Sequence, residues 1–109
     1  MSFEANIKYD EVENLWVIQP EGDMDIYTSG DFKDNVIKLF EERESDLLFD
    51  GKCLDYIDST GLGALIGILK RVNESNHKIY LSNIKPNIRK LFDITELDKL
   101  FIIRGEDNE

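Results

Sequence analysis

The stretch IDSTGLGALIG, residues 57–67, decides how this chain is read. Four of its eleven residues are Gly or Ala, yet the pattern is that of a helix start. Leu62, Leu65, Ile66, Leu69 and Val72 fall on one apolar stripe and predict a helix over about 60–74. A glycine in a helix interior costs about 1 kcal/mol relative to alanine, so Gly61, Gly63 and Gly67 need a reason. At 100° per residue, Gly63 and Gly67 lie roughly 100° or more from the middle of the stripe. Ser59 and Lys70 share that side. Two readings stay open: close approach by a neighbouring element, or a bare flank against which a partner docks. Asp58, Ser59 and Thr60 all suit a helix N-terminus, and the ordinary role of Ser59 there is a cap. A helix N-terminus also tolerates an anion, so a phosphate on Ser59 is compatible with the fold.

Phe3, Ala5, Ile7 and Tyr9 alternate with polar residues, the period of a half-buried strand. DEVEN turns the chain and LWVIQ (15–19) returns as a second strand, with Pro20 expected to end it. Thr28 and Asp31 have capping-box spacing ahead of a helix over about 29–43, carrying Phe32, Val36, Leu39 and Phe40. DLLFD (46–50) reads as a buried strand, and CLDYI as the lead into the motif. KIYLS (78–82) is a further strand, and Pro86 opens a third helix with Ile88, Leu91 and Phe92. A turn at TELD and the apolar run LFII (100–103) follow. The expected fold is α/β: a single domain, 1–109, with a mixed sheet of four to five strands and helices packed against it.

The net charge of -10 lies entirely in the first half. Residues 1–50 hold 4 Lys or Arg against 14 Asp or Glu, and residues 51–109 hold nine of each. Such a surface repels phosphate backbones and anionic lipid, so neither nucleic acid nor a membrane is expected as partner. The single cysteine, Cys53, fits a reducing compartment. No run approaches the ~20 apolar residues of a membrane span, and a cytoplasmic location is expected. The acids lack metal-ligand spacing and no Walker loop is present, so no metal or cofactor is expected. Asp25, Asp58 and Ser59 do not complete a hydrolase triad, because His77 belongs at the far end of the helix that Ser59 opens, roughly 20 Å away. A receiver domain, phosphorylated on aspartate, fits poorly: Asp23 and Asp25 come after a hairpin, and Asp50 follows them too soon.

YIDSTGLGALIGILKRV (56–72) closely resembles the signature of the STAS domain, shared by anti-sigma factor antagonists and sulfate transporter tails. EGDMDIYTSGDFKDNV (21–36), LLFDGKCLDYID (47–58) and NIRKLFDITELDKLF (87–101) resemble that family's other segments in order, which favours its stand-alone antagonists. The resemblance implies a protein that performs no chemistry of its own. Unphosphorylated, it binds an anti-sigma factor with serine kinase activity and frees a sigma factor; phosphorylation ends the binding, and a PP2C-type phosphatase resets it. Carried over, the acceptor is Ser59, with Thr60 as the second hydroxyl. The partner-binding set is Asp25, Asp58, Ser59, Thr60, Gly61, Gly63 and Gly67. A monomer is expected when free. The alternative is a stand-alone STAS module that senses a nucleotide or serves another partner-switching complex. The chain departs from the family's pattern in lacking glycine after the signature helix, where Asn76 is expected in the left-handed region, and at Thr95-Glu96-Leu97, where TGL is usual.

Overall fold

The computed structural model describes residues 3–105. Strands β1 (Phe3–Asp10) and β2 (Leu15–Met24) form an antiparallel hairpin. Helix α1 (Ser29–Glu42) leads to β3 (Asp46–Asp50), which lies parallel to the first part of β2. Then come β4 (Leu54–Ile57), α2 (Ser59–Glu74), β5 (Ile79–Ser82), α3 (Pro86–Ile94), a 3-10 turn (Leu97–Lys99) and β6 (Ile102–Ile103). The sheet order is β1-β2-β3-β5-β6, with β4 paired to the far end of β2. The α/β fold and its mixed sheet are those expected, with one strand more than the upper count.

The extra strand is β4, and it exists because β2 does not stop at Pro20. Proline cannot donate to a ladder. Gly22 points its N–H away from β1, to the carbonyl of Cys53. Two residues earlier, Pro20 therefore directs its missing donor the same way, beyond the last β2–β3 pair, Ile18 with Phe49, and before the first β2–β4 pair, Gly22 with Leu54. The absent N–H falls in the gap between two partner strands, so β2 runs on to Met24 and offers β4 an edge. The register slips between Gly22 and Asp23, where Asp55 is the additional residue on β4. That explains why Asp55 and Tyr56 are both exposed between buried Leu54 and Ile57.

Residues in register across the strands share a face: Ile7, Ile18, Phe49, Leu81 and Ile103 form one row. They meet Phe32, Val36 and Phe40 of α1, Leu65, Ile68, Leu69 and Val72 of α2, and Ile88 and Phe92 of α3 in one core. The inward arc of α2 is centred nearer Val72 than the sequence stripe suggested: Ile68 is fully buried and Ile66 only half so. Arg71 fastens α2 to α1 through Glu41 at 2.9 Å and the Phe40 ring at 5.3 Å, and to the turn after α1 through Glu44 at 3.8 Å.

Candidate functional site

The pairing of β2 with β4 builds the site. Met24 lies opposite Ile57, and the N–H of Asp58 donates to the carbonyl of Met24 at 3.2 Å. The two chains then part: one becomes the Asp25–Thr28 loop, the other starts α2 at Ser59. Asp25 and Asp58, some thirty residues apart in sequence, emerge side by side from the same end of the sheet.

In the β2–α1 loop the expected capping box does not form. Thr28 makes no side-chain cap to α1. Its hydroxyl instead donates to the carbonyl of Asp23 at 2.9 Å and accepts from the N–H of Asp25 at 2.9 Å. The Asp25 carboxylate accepts from the N–H of Tyr27 at 2.9 Å. These bonds close a tight acidic turn and leave Ile26 and Tyr27 on its outside, 67% and 89% exposed.

At the head of α2 the cap is Asp58. Its Oδ1 accepts from the N–H of Thr60 at 2.9 Å, the hydroxyl of Thr60 at 2.6 Å and the N–H of Gly61 at 3.1 Å. The Thr60 hydroxyl, and after it the Gly61 N–H, holds the Asp58 carboxyl below the ordinary carboxylate range. Ser59 is thereby released from capping. It is the first residue of the helix, exposed, and its hydroxyl has no partner among the described residues. Two of the helix N–H groups that an anion would use are already taken by Asp58. A phosphate on Ser59 would stand in solvent beside a carboxylate.

The three glycines separate. Gly61 is buried: a Cβ there would lie 2.7 Å from the Met24 carbonyl oxygen and 2.6 Å from Ile57 Cγ1. It belongs to the helix–sheet contact, and its place in the partner-binding set is corrected on that ground. Gly67 receives the stem of Lys33 from α1, with Cδ 3.0 Å from the Cβ position, so this flank is covered and not bare. Gly63 alone has open space above it. The exposed side of α2 thus presents Ser59, Gly63 and Lys70, with Ile66 at its margin.

Sequence reasoning missed Ile26, Tyr27 and Tyr56. The last is 51% exposed on β4 and lies opposite Asp23. Ile26 and Tyr27 stand on the Asp25 turn and Tyr56 pairs with Asp23, so three large exposed apolar side chains border the acidic loop. The available signal was the lack of any place for them in the strand and helix periods. His77 lies at the other end of α2, bonded to Asp46 at 3.1 Å and edge-on to Phe40. Asp50 is engaged by Gln19 and Asn83, each at 3.1 Å. Among the described residues there is no cluster of metal-ligating side chains, and no helix is long and apolar enough to cross a membrane.

Residues 6–108 match the family model of the STAS domain. The anti-sigma-B factor antagonist of Staphylococcus epidermidis is 30% identical over 105 residues, covering 95% of this chain and 97% of the relative. An anti-sigma factor antagonist from Mycobacterium paratuberculosis superposes with a TM-score of 0.79 at 18% identity, over 98% of this chain and 89% of its own. The Bacillus cell fate determinant SpoIIAA in its phosphorylated form superposes with a TM-score of 0.70 at 19% identity, over 98% and 95%. SpoIIAA in its unphosphorylated form gives 0.72 at 18%, over 98% and 91%.

Proposed function

The chain belongs to the STAS domain family, and on that premise we propose that it is an anti-sigma factor antagonist switched by phosphorylation of Ser59. Unmodified, it binds an anti-sigma factor that is also a serine kinase, and so frees a sigma factor in the cytoplasm. Phosphate transfer to Ser59 dissolves the complex, and a PP2C-type phosphatase restores it. The chain supplies a hydroxyl and a surface, and no catalytic group.

One observation carries this reading. At the head of α2 the capping work is done by Asp58 and the Thr60 hydroxyl is engaged, which leaves Ser59 exposed and unbonded. It favours Ser59 over Thr60 as the acceptor. A modified Ser59 forfeits no bond of the fold, and neighbours of the same fold exist with and without phosphate.

The effect on binding follows from charge. Phosphorylation adds about -1.5 to -2 charges, beside Asp58 and close to Asp25. A hundredfold loss of affinity needs about 2.7 kcal/mol. Repulsion from Asp58 and Asp25 is present in the free protein as well. The loss of affinity therefore comes from desolvating the dianion against the partner, where one like-charge contact at ~4 Å costs roughly 4 kcal/mol at an effective dielectric near 20. The docking surface comprises the Asp25 turn, Asp58, Ser59, Thr60 and Gly63, rimmed by Ile26, Tyr27 and Tyr56.

Incubation with ATP and the anti-sigma factor kinase of the same cell, followed by intact mass and site mapping, tests the proposal. A single phosphate on Ser59 is the expected result. Phosphate on another residue, or none, overturns it.

A further inference from the structure

Strand β1 is an edge of the sheet, pairing only with β2 among the described strands. Because Gly22 directs its N–H to Cys53, away from β1, its partner Phe3 forms a non-hydrogen-bonded pair and turns its own N–H and carbonyl outward. Ala5, Ile7 and Tyr9 follow at intervals of two. Four residues therefore offer unpaired backbone groups along an edge with no proline and no bulge. Edges of this kind are usually blunted. Here the side chains do something else: Phe3-Glu4-Ala5-Asn6-Ile7-Lys8-Tyr9 reads aromatic, acid, apolar, Asn, apolar, base, aromatic, a pattern that is self-complementary about Asn6 when reversed.

We propose that two copies of this chain pair antiparallel through β1, centred on Asn6, to form one continuous sheet. In that register Glu4 of each copy faces Lys8 of the other, Phe3 faces Tyr9, and Ala5 faces Ile7. The residues with outward backbone groups face one another, so each such pair exchanges two N–H···O bonds. Shifting by two residues one way sets Glu4 against Asp10, a like-charge pair, and shifting the other way leaves Glu4 against Asn6; only the Asn6-centred register matches both charges. Within its own chain Glu4 faces Glu21, whose carboxylate accepts from the Asn6 amide at 2.6 Å. Phe3, Ala5, Ile7 and Tyr9 are only half-buried in one copy. A shallow, half-polar hollow of about 410 Å³ runs beside the edge, where Phe3, Ala5 and Phe32 alternate with Glu4, Asp31 and Asn35. Because β2 separates β1 from β4, Asp58 and Ser59 lie across β2 from the junction, while Tyr27, on the rim of the proposed docking surface, borders it. Dilute protein is then monomeric and concentrated protein dimeric.

Two short strands give an interface at the low end of specific sizes, so sedimentation equilibrium of the full chain from about 10 μM to about 1 mM is the appropriate range. Wild type is expected to dimerise reversibly across it, with amide exchange at Phe3, Ala5, Ile7 and Tyr9 slowing as concentration rises. Lys8→Glu and Glu4→Lys each place like charges at both ends of the junction and weaken association about tenfold or more. The double variant Glu4→Lys/Lys8→Glu restores the pairing with the signs exchanged. A chain that stays monomeric throughout overturns the proposal. So do single variants that associate like wild type, or a folded double variant that does not recover. Ala5→Pro deletes one outward N–H that the single copy leaves unused, and is expected to abolish the dimer while circular dichroism shows the fold retained; an Ala5→Pro dimer as strong as wild type overturns the β1 pairing.

Discussion

Thr60 donates its hydroxyl to Asp58 at 2.6 Å, across the residue between them. That contact closes a ring of three donors on one carboxylate oxygen and leaves Ser59 outside it. The group that holds the helix and the group proposed to carry the signal are thus adjacent but distinct.

Ser59→Ala removes a hydroxyl without a partner, so its unfolding free energy in urea should stay within about 0.5 kcal/mol of wild type. The same variant should hold the anti-sigma factor constitutively. Ser59→Asp should bind about a hundredfold more weakly, a change of about 2.7 kcal/mol. Titration calorimetry of both variants reads this directly, and an Asp variant that binds like wild type would refute the switch.

Asp58 carries the pH dependence. Its carboxyl is depressed below the ordinary range by the Thr60 hydroxyl first and the Gly61 N–H next. A depressed carboxyl stabilises the fold above its unfolded-state pKa, and that contribution fades as pH falls through the lower native value. Asp58→Ala should melt several degrees below wild type at neutral pH. The gap should narrow as the pH falls below the usual Asp range, and Asp58→Asn should lie between the two. Melting curves over pH 2–7 on all three proteins provide the check; a gap that widens in acid would contradict the capping role.

Gly61 and Gly63 should respond in opposite ways to the same substitution. At Gly61 a methyl meets a backbone carbonyl that cannot step aside, so Gly61→Ala should cost about 1–3 kcal/mol. At Gly63 the space is open, and alanine should raise stability by about 1 kcal/mol through helix propensity. Gly63→Ala should nevertheless bind the anti-sigma factor more weakly, because it adds bulk to the docking flank. Chemical denaturation together with a binding titration separates the two effects.

Glu96 has φ 62°, a left-handed conformation, and its exposed ion pair with Lys99 at 3.2 Å is worth little. The penalty of about 1–2 kcal/mol for a residue with a Cβ exceeds the roughly 0.4–1 kcal/mol by which glycine loosens the unfolded chain. Glu96→Gly should therefore stabilise the protein by about 0.5 kcal/mol, measurable as a higher urea midpoint with unchanged slope. Asn14, Asn76 and Asn83, also at positive φ, are residues that tolerate it, as expected for Asn76.

Periodicity and punctuation were enough for β1, α1, β3, α2, β5 and α3, because each buries one face and the apolar residues repeat at the spacing of that face. They failed where long-range pairing overrode a local rule. Pro20 reads as a strand end, and CLDYI as a lead-in, only while β2 and β4 are considered separately. Each makes the other possible. The shift of the buried arc toward Ile68, and the inward turn of Gly61, have the same origin: the height and angle at which α2 meets the sheet are set by the Met24–Ile57 pair.

By itself the sequence determined that residues 58–60 would head a helix and that a hydroxyl would stand there, since short polar side chains before an apolar stripe satisfy free N–H groups wherever they occur. Which of the three does the capping was decided only in three dimensions. Three candidates in a row have nearly equal intrinsic preference, and the hydrogen bond from Asp58 to Met24, made with a strand more than thirty residues away, fixes the direction from which the chain enters the helix. That entry turns the Asp58 carboxylate over the helix end and leaves Ser59 facing water.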